Sequence, residues 1–438
     1  MTFQRAFLLS LILFSFIANA AKTPPQIEAK IVETINQRLP QAQALLVESV
    51  NINSGTMNFS GVKKVGMLFK AELAQLGFDV QWQDGASFGR AGHLVARYGT
   101  KGPKILMIGH LDTVFAKSDT FQTYQSLADN KASGPGVTDM KGGDVIIIEV
   151  MRALKTLGLL DDVSIQIVMT GDEERSGKPL SASKAAIIEA AKWADIALGF
   201  EDGDGSIKTA VVARRGSVDW QLEVTGRPAH SSQIFSDKVG YGAVFEAARI
   251  LDTFRQALAN LGDLTFNPGV ILGGTEVTFN DETAKGSAFG KNNVVAQTLL
   301  VKGGIRALTH EELITAKTTM QDIVKQNLLH TSATLTIGEG YPPMAPTPQN
   351  YQLLEWYSDI SYSLGYGKVE AVNPRNAGAA DISFAAEHVN MALDGLGLMG
   401  TGGHTKNEVA DMDSFAKNMH KAALLIYRIS QDYPTYQQ

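Results

Sequence analysis

At 438 residues with 44% hydrophobic side chains, the chain has material for a large buried core and length for two domains. Its 39 basic and 45 acidic residues are scattered rather than blocked and leave a formal charge of -6, which argues against nucleic acid or an anionic membrane surface as partner. No cysteine is present, which excludes disulfides and a lipid attached through a cysteine thiol.

The N-terminal stretch MTFQRAFLLSLILFSFIANA places Arg5 before an apolar run from Ala6 to Ile17 and closes on the small residues Ala18 and Ala20. This pattern predicts a signal peptide over residues 1–20. The apolar run falls short of the roughly 20 residues a membrane span requires, so cleavage is favoured over an anchor. The expectation is an exported protein, periplasmic or secreted, with no membrane association after cleavage.

Beyond a proline-containing segment at Thr23 to Gln26, helical and strand patterns alternate. Val62, Val65, Phe69, Leu73 and Leu76 recur at helical spacing, and Lys104 to Gly109 is an apolar run of strand length. Ile147, Val150, Met151, Leu154 and Leu157 again keep helical spacing, and Val163 to Met169 reads as a strand running into TGDEERSG. Such alternation predicts an α/β domain with a mixed, largely parallel sheet flanked by helices. In these sheets functional groups gather at the carboxyl ends of strands, where His110, Asp112, Asp172, Glu173 and Glu174 fall.

The pattern changes near residue 213. Val218, Trp220, Leu222 and Val224 alternate with polar residues, as in a strand with one wet face. A helix from Val239 to Leu261, strands at Gly269–Phe279 and Asn293–Arg306, a helix over His310–Leu328 and a strand at Ala333–Gly338 follow. This order suits an inserted α+β lid with a four-stranded antiparallel sheet and two helices. Tyr341 to Pro348 reads as the return linker. The predicted organisation is a signal peptide at 1–20, a catalytic domain in two parts at 21–212 and 341–438, and a lid at 213–340.

The chemistry-bearing stations are His110 and Asp112 in GHLD, Asp139 in GVTDMKGG, Glu173 and Glu174 in GDEERSG, Glu201 in LGFEDG, and His404 in GTGGHTKNE. A lone H-x-D is a weak motif, but five stations in this order are not. Two divalent metals about 3.5–4 Å apart need a bridging carboxylate plus a carboxylate and an imidazole each. His110 and His404 supply the imidazoles, Glu174 and Glu201 the terminal carboxylates, and Asp139 the bridge. Glu173, next to a ligand, suits a general base, and Asp112 would fix the tautomer of His110 by hydrogen bonding its free nitrogen.

Taken together, GHLDTV, GVTDMKGG, GDEERSG, FEDG and GHTKNE resemble the co-catalytic zinc metallopeptidase family that includes glutamate carboxypeptidase, acetylornithine deacetylase, aminoacylase and succinyl-diaminopimelate desuccinylase. The resemblance extends over nearly the whole mature chain. It implies two zinc ions per subunit sharing Asp139 and a bridging water, and hydrolysis of an amide beside a carboxylate-bearing group. His230, in TGRPAHSS, resembles the residue that crosses a dimer interface to the oxyanion, which implies a homodimer through the lid.

Arg375, in NPRNAGAADISF, resembles the family arginine that grips the substrate carboxylate. Asn293 and Arg306 fall where glutamate carboxypeptidases make further contacts. Ala296 and Gly304 depart from the family's common proline and acidic residue around those contacts. The implied reaction is release of a C-terminal residue from a small peptide, with N-acyl amino acid deacylation or dipeptide hydrolysis as alternatives on the same site. A non-catalytic periplasmic binding protein is the alternative of another class. His310 reads as the first turn of a helix capped by Thr309. Asp381 and Glu408 read as supports for the Gly-rich turn and for His404, and His93, His330, His388 and His420 as structural or exposed.

Overall fold

The computed structural model describes residues 26–281 and 283–436, so the expected signal peptide lies outside the described residues. In chain order come helices α1 (Gln26–Val50) and α2 (Phe59–Gln75), strands β1 (Asp79–Asp84), β2 (Gly92–Tyr98) and β3 (Lys104–His110), helix α3 (Lys141–Thr156), β4 (Ser164–Thr170), α4 (Ala185–Trp193) and β5 (Ile196–Gly199). The lid contributes β6 (Gly216–Gly226), α5 (Gly242–Leu258), β7 (Thr265–Gly274), β8 (Thr298–Ala307), α6 (His310–Val324) and β9 (Thr331–Ile337). The chain returns with α7 (Pro348–Ser363), β10 (Met391–Leu393) and α8 (Met412–Tyr436).

Six strands form the main sheet in the order β1-β2-β4-β3-β5-β10. The four from β4 to β10 pair in parallel, whereas β1 and β2 run antiparallel at one edge. Both faces of β3 are covered: Ile105 and Met107 enter one hydrophobic core and Leu106 and Ile108 another, which is why its sequence is apolar without alternation. The antiparallel edge and α1, which continues through Pro40, were not legible from periodicity. In α2 the Asn58 side chain accepts from the Gly61 amide, and Val62, Val65, Phe69 and Leu73 form the buried stripe.

The lid sheet has the order β7-β8-β6-β9, antiparallel throughout. Trp220, Leu222, Val224, Val301 and Ile305 pack against Ile250 and Phe254 of α5 and Met320 of α6. The expected Gly269–Phe279 strand instead starts at Thr265 and stops at Gly274, and a separate hairpin pairs Glu276–Asn280 with Lys285–Phe289. β7 bears a register shift between Pro268 and Val270. Its edge position explains why a residue without an amide hydrogen is accepted there. As expected, Thr309 caps α6, in a reciprocal box with Glu312.

The two connections between lid and catalytic domain lie side by side. Arg214 exchanges backbone hydrogen bonds with Met344, and Ser217 with Tyr341. The described helices include none long and apolar enough to cross a membrane.

Candidate metal centre

Three parallel strands deliver the site at their carboxyl ends. β3 ends on His110, β4 leads into Glu173 and Glu174, and β5 leads into Glu201. Asp139 stands just before α3, and the peptide that follows it is cis. His404 sits in the glycine turn before α8 with φ of 62°, a left-handed conformation that histidine tolerates better than most side chains.

These residues converge as two three-member groups, His110–Asp139–Glu201 and Asp139–Glu174–His404. Within each group the candidate donor atoms lie within 4.8 Å of one another, and Asp139 belongs to both. His110 Nε2 is 2.9 Å from Asp139 Oδ1 and 3.5 Å from Glu201 Oε1. His404 Nε2 is 3.0 Å from Asp139 Oδ2 and 3.1 Å from Glu174 Oε2. Each oxygen of Asp139 thus faces a different imidazole, the arrangement a bridging carboxylate requires.

The electrostatics call for cations. Burial, and then Asp139, pushes Glu201 well above the usual carboxylate range, and burial pushes Glu174 up to about 7. Burial works against a charged His110, yet Glu201, Asp112 and Asp139 together hold its imidazole well above the ordinary histidine range. Asp139 first and Glu174 next raise His404 to about 11. Three converging carboxylates against two imidazoles leave excess negative charge, and the oxygen and imidazole donor set fits borderline divalent ions such as zinc.

Hydrogen bonds to backbone fix the donors, in a pattern that corrects two expectations and adds to a third, that of Asp112. His110 Nδ1 meets the carbonyl oxygen of Asp112 at 3.0 Å, while the Asp112 carboxylate stands 3.6 Å away. That carboxylate also accepts from the Glu173 amide at 3.0 Å, the Glu174 amide at 3.2 Å and the Thr56 hydroxyl at 2.6 Å. Glu408 holds the Asp139 loop rather than His404, accepting from the amides of Gly136, Thr138 and Asp139. Asp381 serves the Glu173 loop rather than the Gly-rich turn. It accepts from Thr170 and Tyr341 and pairs with the buried Lys184 at 2.9 Å.

Lys184 also pairs with Asp172 at 3.1 Å, and Tyr341 donates to the Glu173 carbonyl at 2.9 Å. Behind Glu201, the Asp394 carboxylate accepts from the Glu201 amide and pairs with Arg214 at 2.8 Å. Lys184, Tyr341, Asp394 and Arg214 escaped the sequence reading because no local motif carries them. The signal available was a charged residue within an otherwise apolar stretch, as at Asp394 in MALDGLGL.

The remaining expected residues form separate groups. His230 and Asn293 are neighbours on the lid: His230 pairs with Val294, and the Ser231 amide donates to the Asn293 carbonyl. Among the described residues the exposed His230 ring bonds only Ser232, so within one chain the hydrogen bonds found for these two residues do not reach the metal donors. Arg375 pairs across the domains with Asp263 of the lid at 3.7 Å, and Arg306 and Arg375 both bear on the partly buried Arg215. His310 stands in the first turn of α6, and its Nδ1 meets Glu387 at 2.7 Å. Buried His93 and His420 are tied into hydrogen bonds away from the centre.

Residues 106–428 match the model of peptidase family M20/M25/M40. The chain belongs to the M20/M25/M40 peptidases. This M20 chain is 25% identical over 415 residues to carboxypeptidase G2 of a Pseudomonas species, with 94% of each chain covered. Over 44% of its length it is 31% identical to succinyl-diaminopimelate desuccinylase of Maricaulis maris, of which it covers 48%. Its fold matches an aminopeptidase, PepT, from Bacillus cereus with a TM-score of 0.69 at 19% identity, covering 91% of this chain and 98% of that one. The M20 membership makes this chain a metal-dependent hydrolase of the peptidase and amidohydrolase class.

Proposed function

We propose that this M20 chain is an exported di-zinc exopeptidase that cleaves the amide bond before a C-terminal amino acid. The observation that carries the reading is the pair of donor groups sharing Asp139, with Glu173 near enough to interact with His110, Glu174 and Asp139. One zinc would be held by His110, Asp139 and Glu201, the other by Asp139, Glu174 and His404. When bound, the pair supplies an acidified water and polarises the scissile carbonyl.

The protein's own groups do the rest. Glu173 takes the proton of the attacking water and passes it to the leaving amine. Burial, with Asp381, Glu174 and Asp139 adding to it, pushes the Glu173 carboxyl well above the usual range, as a proton-transferring group requires. Arg375, exposed and loosely paired with Asp263, exchanges that partner for the substrate's terminal carboxylate. Arg306 and Asn293 contribute from the lid.

His230 stabilises the oxyanion from the lid of a second copy, as a homodimer would allow. In support of a dimer, Phe235 and Phe245 are 56% and 49% exposed on the lid and stack edgewise with each other, and Phe235 also with Tyr241. The leader-like residues 1–20 support export.

The test is a panel of N-acyl amino acids and di- and tripeptides varying in their C-terminal residue, assayed with added zinc. Glu173→Gln is expected to lower kcat by about a hundred- to ten-thousand-fold while metal content is unchanged. Unaltered hydrolysis by this variant would remove Glu173 as base, and clearly fewer than about two zinc ions per chain at saturation would remove the two-metal site. Hydrolysis confined to N-acyl substrates or to dipeptides would make the chain a deacylase or a dipeptidase. Tight binding without any hydrolysis would make it a binding protein.

A further inference from the structure

Beside the Glu174 half of the metal centre opens a cleft of about 560 Å³. One wall is Thr56 to Asn58, the other Val114 to Ser118, and Arg175 borders it next to Glu174. Two of its neutral polar groups are already engaged: Thr56 donates to Asp112, and the Asn58 amide group to Asn53 while its oxygen caps α2. What remains for a ligand is the exposed apolar surface of Met57 and Val114, the Ser118 hydroxyl and two cations, Lys117 and Arg175.

Neither cation forms an ion pair or side-chain hydrogen bond among the described residues, and the sole carboxylate lining the cleft is the donor Glu174. Nearby cations are satisfied. Lys406 pairs with Asp119, and the Arg90 guanidinium donates to the carbonyls of Gly89, Arg175 and Ser176. The cleft is therefore apolar at its walls and positive at its rim, a combination that selects an aliphatic stem with an anionic tip.

Arg375 stands five positions before Ala380, on the chain that approaches the other half of the centre. Its loop leads into Ala380 and Ile382, which line a small cavity behind His110 and Glu201. A substrate held by its terminal carboxylate at that end presents the residue before the scissile bond toward Glu174 and the cleft. We infer that the Met57–Val114–Lys117–Arg175 cleft is a specificity site for a peptide whose residue before the scissile bond is acidic. This rests on the proposed amide hydrolysis with Arg375 at the C-terminal carboxylate.

The test compares N-acetyl-Glu-X with N-acetyl-Gln-X, isosteres that differ by one charge, where X is the C-terminal residue preferred in the panel. Two exposed cations predict a kcat/KM ratio of about tenfold in favour of glutamate, weakening with salt. The ratio falls to about one in Lys117→Gln/Arg175→Gln and is retained in Lys117→Arg. Calorimetry on the full-length Glu173→Gln chain reads the same preference in Kd without turnover. A wild-type ratio near or below one by both measurements, or a preference that the double variant leaves intact, overturns the cleft assignment even if hydrolysis is robust. A Kd preference that depends on Lys117 and Arg175 in a chain that hydrolyses nothing upholds the cleft and removes the proposed function instead.

Discussion

The hydroxyl of Tyr341 donates to the backbone carbonyl of Glu173 at 2.9 Å, while the Tyr341 backbone exchanges two hydrogen bonds with Ser217. One residue of the return linker thus joins the lid connection to the loop carrying the proposed base. Tyr341→Phe keeps the ring packed on Phe384 and removes the hydroxyl's ties to the Glu173 carbonyl, Asp381 and Ser176 together. The expected outcome is a fall in kcat of about tenfold with KM nearly unchanged, read by steady-state kinetics, because a base displaced slightly affects the transition state more than binding. An equal rise in KM with constant kcat would assign Tyr341 to substrate binding instead.

Asp112 acts on the same loop from the other side. Its carboxylate accepts two successive amides, Glu173 and Glu174, and Asp112→Asn replaces one accepting oxygen by a donor facing them. Zinc affinity is expected to drop about ten- to a hundredfold, measured by competition with a chelating dye, as for other groups that orient metal ligands. His110 keeps its backbone partner in this variant, so zinc binding is weakened rather than abolished.

Removing metal should destabilise the protein in a pH-dependent way. Burial raises Glu174 to about 7 in the metal-free fold, above its ordinary 4.5. A carboxyl raised on folding binds its proton more tightly in the native state, so the metal-free chain loses stability as pH climbs from about 4.5 through 7. The drop in Tm caused by a chelator is therefore larger at about pH 8 than at about pH 6. A drop independent of pH would show that charge repulsion among the donors is not what the metal relieves.

His420 provides a second titration remote from the centre. Its ring is buried between the Tyr366 hydroxyl at 2.8 Å and Asn36 at 3.1 Å, and burial lowers its pKa from 6.5 to about 4. The neutral ring is favoured in the fold, so the contribution is present above about 6.5 and lost as pH falls through about 4. It amounts to about 3 kcal/mol at most. His420→Gln is expected to flatten the acid limb of the stability curve measured by urea unfolding between those pH values.

Sequence by itself carried the inventory of the centre. His110, Asp139, Glu174, Glu201 and His404 each sit at the end of an apolar run or in a glycine turn, and the ends of parallel strands meet at one edge of a sheet. The alternation of Val218, Trp220, Leu222 and Val224 likewise announced the lid strand, because a sheet with one wet face must read with a period of two. These features are local, and local patterns survive in a one-dimensional string.

Only the tertiary structure decided what holds those donors and what surrounds them. Asp112 serves the Glu173 and Glu174 amides as well as standing beside the ring of His110, Glu408 serves the Asp139 loop, and Tyr341 reaches Glu173 from 168 positions away. Buried backbone amides and carbonyls must find partners, and which side chain supplies them depends on distances that spacing in sequence does not encode. The same is true of the Lys117 and Arg175 cleft, whose two cations, unpaired among the described residues, come together only because two distant loops stand face to face beside Glu174.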